Sequence, residues 1–213
     1  MLPTNFPSWE AVYQQIQCSL RADCFEAMAQ DLHSVLFVAQ GRQAQTSAVV
    51  LNGRTLQSSC ERGPRAGYGG DKRKRASKVH MVVNTLGHWL AVHVTPVNEQ
   101  ARAQVPMLAQ AGQLVSGQSV KLAFADQGYI GEEPAQATQD EGIELQGIKR
   151  PEATKGFILL PRRQIVERSF GWLKRLRRLA RDDERLPETL VGLHFVVFAM
   201  LMRVHAAPIL QSA

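Results

Sequence analysis

Residues 160–181 read LPRRQIVERSFGWLKRLRRLAR, with eight Lys/Arg and a single acid, Glu167. Wound on a helix at about 100° per residue, the stretch divides into two sides. Ile165, Ser169, Trp172, Leu173, Leu176, Leu179 and Ala180 form an apolar side. Arg163, Glu167, Gly171, Lys174, Arg178 and Arg181 form a basic one. A stripe of Arg and Lys suits a polyphosphate, because each contact releases condensed counterions. A carboxylate within it repels the phosphates that the stripe attracts. A hard divalent cation resolves the conflict, since oxygen ligands hold it and phosphate completes its shell. The alternative is a solvated amphipathic helix in which Glu167 pairs with Arg163 one turn away.

Partners for Glu167 are expected at strand ends, where ligands of α/β sheets gather. Asp126 follows the apolar run VKLAFA and precedes Gln127-Gly128-Tyr129, a turn that would hold it at the rim. An Asp in this place also serves as a turn former or helix cap, and both readings stand. The other strand-end position is 52, where the run SAVVL stops at Asn52-Gly53.

The elements that must position these residues follow from periodicity. Ser8 caps a first helix carrying Trp9, Val12, Tyr13, Ile16 and Leu20, and a second spans about 22–39, the two forming a helical hairpin. A polar linker at 40–46 leads into a β-rich region: a strand at 47–51, and a hairpin of 79–84 and 89–95 around Leu86-Gly87-His88. A helix at 100–115, a strand at 120–125, a helix at 132–141 and a strand at 143–149 come next. The basic helix and a last helix at 188–205 complete the chain. This order means a mixed sheet with helices over it. Residues 62–78, RGPRAGYGGDKRKRASK, are the least regular. They read either as a solvated loop or as a flexible basic arm whose Lys72, Arg73, Lys74 and Arg75 lie on a phosphate backbone.

Bulk properties agree. The chain has 213 residues, 45% hydrophobic, with net charge +6, and an isoelectric point near 9.5. That is one globular core with an acidic partner, and the clustered cations favour nucleic acid. Cys18, Cys24 and Cys60 have no ligand spacing and read as free, mostly buried thiols of a reducing compartment. The first ten residues lack the pattern of a signal peptide. The apolar run 190–202 is short for a membrane span and reads as a buried helix. His80, His88 and His93 have no ligand spacing; His194 reads as a core residue, Trp172 as core, and Phe170 as a candidate for stacking on a base. Glu132 and Glu133 suit the first turn of their helix. No GxxxxGK loop is present, so nucleotide hydrolysis is not implied.

Three blocks resemble DDE transposases of bacterial insertion sequences, in the insertion-sequence-five group. They are AVVLNGRTLQ with the following RAGYGGDKRKRASKVHMVVNTLGHWLAVHVTP, then FADQGYIGE, then LLPRRQIVERSFGWLKRLRRLARDDERLPETLVGLHF. The resemblance runs over nearly the whole chain. In the third block the family's aromatic–Arg–Glu–Lys pattern falls on Leu160, Arg163, Glu167 and Lys174, with Leu160 departing from the aromatic.

The resemblance implies an RNase-H-like α/β domain over 46–206, with an N-terminal helical segment at 1–45. It implies two Mg²⁺ ions, with Mn²⁺ as a substitute, held by three carboxylates. These activate water or a DNA 3′-hydroxyl for in-line attack on a phosphodiester, so the reaction is strand cleavage and strand transfer. Asp126 is then the second acid and Glu167 the third, while the first falls on Asn52; a further family Asp falls on Asn84. Arg163, Lys174 and Arg178 would contact DNA. Double-stranded DNA, both transposon ends and target, is the implied partner, bound by a homo-oligomer with no membrane involved, in a bacterial cytoplasm at the nucleoid. Relatives often carry a further DNA-binding segment upstream. Losing an anionic ligand shared by two metals costs on the order of 10³-fold in rate or more. This copy is therefore expected to be crippled; the alternatives are a DNA-binding remnant without chemistry and a nuclease that trims DNA without transposing it.

Overall fold

The computed structural model describes residues 3, 5–39, 41, 46–59, 66–70, 73–148, 170–171, 173 and 176–211. Two helices come first, α1 (Trp9–Arg21) and α2 (Cys24–Ala39). Ser8 caps α1, its Oγ accepting from the Ala11 amide at 3.5 Å. The β-rich region follows with β1 (Ala48–Gln57), β2 (Gly67–Gly69), β3 (Lys74–Asn84) and β4 (Trp89–Pro96). Then α3 (Val105–Ser116), β5 (Leu122–Ala125), α4 (Glu132–Asp140) and β6 (Glu144–Gly147) alternate, and α5 (Pro187–Gln211) closes the described chain.

The sheet order is β2-β3-β1-β5-β6, with β4 also on β3. β1 runs antiparallel to β3, β3 antiparallel to β4, and β5 and β6 run parallel to β1. Each parallel strand is reached through a helix, as a parallel connection requires. This is the expected mixed sheet flanked by helices.

Side chains alternate between two cores. Val50, Phe124, Met81 and Val83 point to one face, where α2, α5, Phe170, Leu173 and Leu179 cover them. Val49, Leu51, Ala123, Ala125 and Val82 point to the other, under Val105, Leu108 and Ala109 of α3 and Tyr129. A buried amide staples the second layer. Gln113 on α3 donates to the carbonyls of Val120 (2.9 Å) and Glu141 (2.7 Å) and accepts from the Val120 amide (3.1 Å).

Several expectations change. β1 does not stop at Asn52-Gly53 but continues to Gln57, because β3 pairs with it from Val49↔Asn84 to Gln57↔Ala76. The basic arm is not a free loop: Lys74 and Arg75 begin β3, and Gly67–Gly69 pairs with them as β2. The basic helix does not run to residue 181; Phe170, Gly171 and Leu173 are helical, but a bend at Leu176 precedes a 3₁₀ turn at Arg177–Leu179. α1 precedes α2 in the expected hairpin order but buries no residue, leaving Trp9 (66% exposed) and Tyr13 (57%) in solvent, and the Cys18 and Cys24 thiols are exposed where burial was expected. α5 is longer than expected, and Pro187–Val204 is long and apolar enough to cross a membrane by length and composition. One side of that helix, with Leu190, His194, Phe195, Phe198 and Met202, is buried in the protein.

Asn84 has a structural place. It is fully buried, and its Oδ1 accepts from the amides of Leu86 (2.8 Å) and His88 (3.0 Å), closing the β3–β4 turn. Its Nδ2 donates to His33 Nε2 of α2 at 2.7 Å. Asn84→Ala would strand these buried partners, and a loss of ~1–3 kcal/mol is expected, read from chemical denaturation with an unchanged m-value.

Candidate active site

Two of the chemistry-bearing residues meet through the sheet. β1 and β5 pair in parallel with Val50 opposite Phe124 and Leu51 opposite Ala125. Asn52 and Asp126 are the next residues on each strand, so they take adjacent places, roughly 5 Å apart at the backbone by the spacing of paired strands. Alternation sends both side chains to the face of Val50 and Phe124. Both are half-buried. Asp126 Oδ1 accepts from the Gln127 amide at 2.9 Å, capping the 3₁₀ turn Gln127–Tyr129. The turn-former role and a place beside Asn52 are thus both realised. Asn52 Oδ1 accepts from the Gly53 amide at 2.6 Å.

The same face carries the segment that follows the basic stretch. Phe170 is 9% exposed and Leu173 fully buried, both in the core with Val50 and Phe124. Phe170 is therefore a core residue and not a surface stacking platform. Arg54, two residues beyond Asn52 on that face, docks the segment onto β1. Its Nη2 donates to the Leu179 carbonyl at 2.6 Å and lies 3.4 Å from His194 Nε2. Its guanidinium sits 5.7 Å from the centre of the Phe170 ring, a cation–π geometry. Burial lowers its pKa to about 10, so it stays charged at neutral pH. Its Nε is buried without a partner among the described residues. Sequence reasoning missed Arg54, because nothing local in NGRTLQ signals a buried cation.

Glu167, Arg163, Lys174 and Lys72 lie outside the described residues. Arg178 is described: its Nε donates to Glu184 Oε1 at 2.8 Å, with 70% of the Arg178 side chain exposed. The Glu184 side chain is only 10% exposed, so the pair fastens Arg178 to a nearly buried carboxylate, and giving it up would take this partner from that carboxylate. Arg73, Lys74 and Arg75 are exposed at the β2–β3 hairpin. Met81 is Asn52's partner on β3, and Lys74 lies seven residues up that strand, about 23 Å away at 3.3 Å per residue.

The donors present suit a hard cation in part. Asp126 supplies a carboxylate whose Oδ1 is engaged by the Gln127 amide, and Asn52 supplies only a neutral amide oxygen, already engaged by Gly53. Among the described residues no three His, Cys, Asp or Glu gather as a metal cluster.

A family model described as a transposase DDE domain matches residues 44–202. The chain belongs to the DDE transposase family. Among curated relatives of this transposase is "Putative transposase for insertion sequence element IS402" of Burkholderia cepacia, 33% identical over 121 residues. That alignment covers 54% of this chain and 57% of the relative, a little over half its length. Two solved structures are similar more loosely. The catalytic core domain of BIV integrase is 14% identical over 71% of this chain and 82% of that one, with a TM-score of 0.43. The Mos1 mariner paired end complex with Mn is 11% identical over 88% of this chain and 62% of that one, with a TM-score of 0.42.

The transposase's interior histidines are neutral. Burial lowers His33 to about 4. Burial lowers His80 to about 3, helped by Lys78 and His93. Burial, helped by Arg54, lowers His194 to about 4, against the raising effect of its bond to Leu190. Each resists protonation when folded but takes up a proton below 6.5 when unfolded. Their stabilisation is complete above pH 6.5 and is lost as the pH falls toward 4. These three histidines should therefore contribute about three of the protons taken up on unfolding near pH 5, measured from the pH dependence of urea melts of the protein and of its His33→Gln, His80→Gln and His194→Gln variants. Arg54→Met should cost ~1–3 kcal/mol through the lost Leu179 bond, read as an earlier melt.

Proposed function

We propose that this DDE transposase handles DNA at a site formed by Asn52, Asp126 and Glu167, with residues 46–206 as the catalytic unit and 1–45 as a helical segment. The observation that carries the reading is the parallel register of β1 and β5, which sets Asn52 beside Asp126 on one face. Glu167 precedes Phe170 by less than one helical turn in sequence, and Phe170 is buried on that same face. The cofactor in this reading is a divalent cation, two Mg²⁺ with Mn²⁺ as substitute. When bound, such ions stabilise the entering and leaving oxygens of an in-line phosphoryl displacement. Asp126 and Glu167 supply charged oxygen ligands. Asn52 supplies a neutral oxygen only.

Arg163, Lys174 and Arg178 bind phosphates near the reacting strand, Arg178 through the 70% of its side chain that is exposed beside Glu184. Lys72, Arg73, Lys74 and Arg75 bind the backbone further along. The distance from Lys74 to the level of Asn52, about 23 Å, is under one turn of duplex, about 34 Å. The partner is double-stranded DNA, transposon ends and target, held by a homo-oligomer in the cytoplasm at the nucleoid.

Asn52 favours a second reading within the first. With an amide in the first acid position the chain binds DNA but cleaves it poorly, as a remnant that occupies transposon ends. Asn52→Asp should raise Mg²⁺-dependent nicking of transposon-end DNA on the order of 10³-fold, while salt-dependent DNA binding changes little. Equal nicking by the two forms would refute the crippled-copy reading. Absence of nicking in both, with DNA binding retained, would favour the remnant.

A further inference from the structure

The turn that carries Asp126 is latched to the far side of the sheet by a chain of buried polar groups. Tyr129 ends the 3₁₀ turn that begins after Asp126, and its amide donates to the Asp126 carbonyl at 2.9 Å. Its ring crosses the backbone of Gly53, the neighbour of Asn52. A Cβ at Gly53 would collide with the Tyr129 hydroxyl and lie 3.0 Å from the Val79 carbonyl. Gly53 is thus the opening through which Tyr129 reaches β3.

There Tyr129 Oη lies 2.8 Å from His80 Nδ1, and His80 Nε2 lies 3.0 Å from Thr95 Oγ1. Thr95 Oγ1 donates to the Pro96 carbonyl at 3.3 Å. With the Thr95 hydrogen on Pro96, His80 Nε2–H donates to Thr95 and Nδ1 is the acceptor; with the Thr95 hydrogen on His80 the roles reverse. In the first arrangement the Tyr129 hydroxyl donates to His80 Nδ1, the direction in which it keeps its own proton. Every group in the chain has a partner, and all three side chains are buried. Burial and Asp126 raise the Tyr129 pKa, which keeps its donor proton in place. The Lys78 ammonium, 5.8 Å from the centre of the Tyr129 ring, packs the open side.

We propose that Tyr129, held by His80 and Thr95, is a positioning residue that fixes the Asp126 carboxylate for divalent-metal binding beside Asn52. The inference rests on the reading of Asp126 as a metal ligand. The physical basis is general: partners behind a metal ligand restrict its rotation, and their loss typically weakens metal binding about 10- to 100-fold. Tyr129 acts at one remove, through the backbone of a three-residue turn, so the lower end of that range applies.

The test uses the full chain and Mn²⁺ alone as probe, with binding followed by water-proton relaxation and folding by thermal melts. Asp126→Asn sets the baseline and should abolish the tight Mn²⁺ site. Tyr129→Phe keeps the ring over Gly53 and removes only the hydroxyl. It should weaken Mn²⁺ about tenfold at a temperature well below its melting point. His80→Asn, whose amide oxygen can accept from Tyr129 near the Nδ1 position, should recover part of the affinity that His80→Leu loses. A Tyr129→Phe chain that melts earlier but binds Mn²⁺ as the unaltered protein does would make the chain of groups a fold brace only and overturn the inference. Unchanged Mn²⁺ binding in Asp126→Asn would overturn the metal-ligand reading beneath it, a distinct failure.

Discussion

The parallel pairing of β1 with β5 is the constraint on which the site depends. These strands are separated in sequence by a hairpin and a helix, yet one register brings Leu51 opposite Ala125 and so Asn52 beside Asp126. The register is held by apolar alternation. Val50 and Phe124 enter one core, and Leu51 and Ala125 the other. A slip of one residue would turn a strand's whole buried set over and cost both cores at once. The two polar residues are placed as a by-product of burying their apolar neighbours.

The interior polar groups work as staples between layers. Gln113 ties α3 to the start of β5 and the end of α4. Asn84 ties the β3–β4 turn to α2. Arg54 ties β1 to the carbonyl of Leu179 and, through His194, to α5. Each stands where two elements remote in sequence meet, and each satisfies main-chain or imidazole groups that burial would otherwise leave unpaired. The neutral histidines belong to the same scheme, since an imidazole can bridge a donor and an acceptor without carrying charge into the core.

Asn52 stands out against this economy. It is two residues from a guanidinium that burial holds without any carboxylate among the described residues, and it faces Asp126 across one strand spacing. Among the described residues this face of β1 and β5 thus carries one acid, one amide and one cation at Asp126, Asn52 and Arg54.

The local elements were largely legible. Ser8 as cap, the turn at Leu86-Gly87-His88, the helix at Glu132–Asp140 and Asp126 at a strand end all follow from capping, turn chemistry and periodicity, which act over a few residues. Reading failed where a partner strand or layer overruled local signals. Asn-Gly looked like a stop, but β3 carried β1 through it to Gln57. Glycines and charges looked like a loose arm, but β2 and β3 pair across them. Phe170 looked peripheral, but Arg54 and the first core enclose it.

What the sequence determined alone was the set of elements, the basic clusters and the chemical types available: an aspartate after a strand, an amide where an acid would serve, an acid among cations. Tertiary structure decided which of these share a face, that Tyr129 threads past Gly53 to His80, and that Arg54 is buried. The reason is that periodicity encodes which side of an element is apolar, whereas register and layer contact depend on the complementary surface of another element distant in the chain.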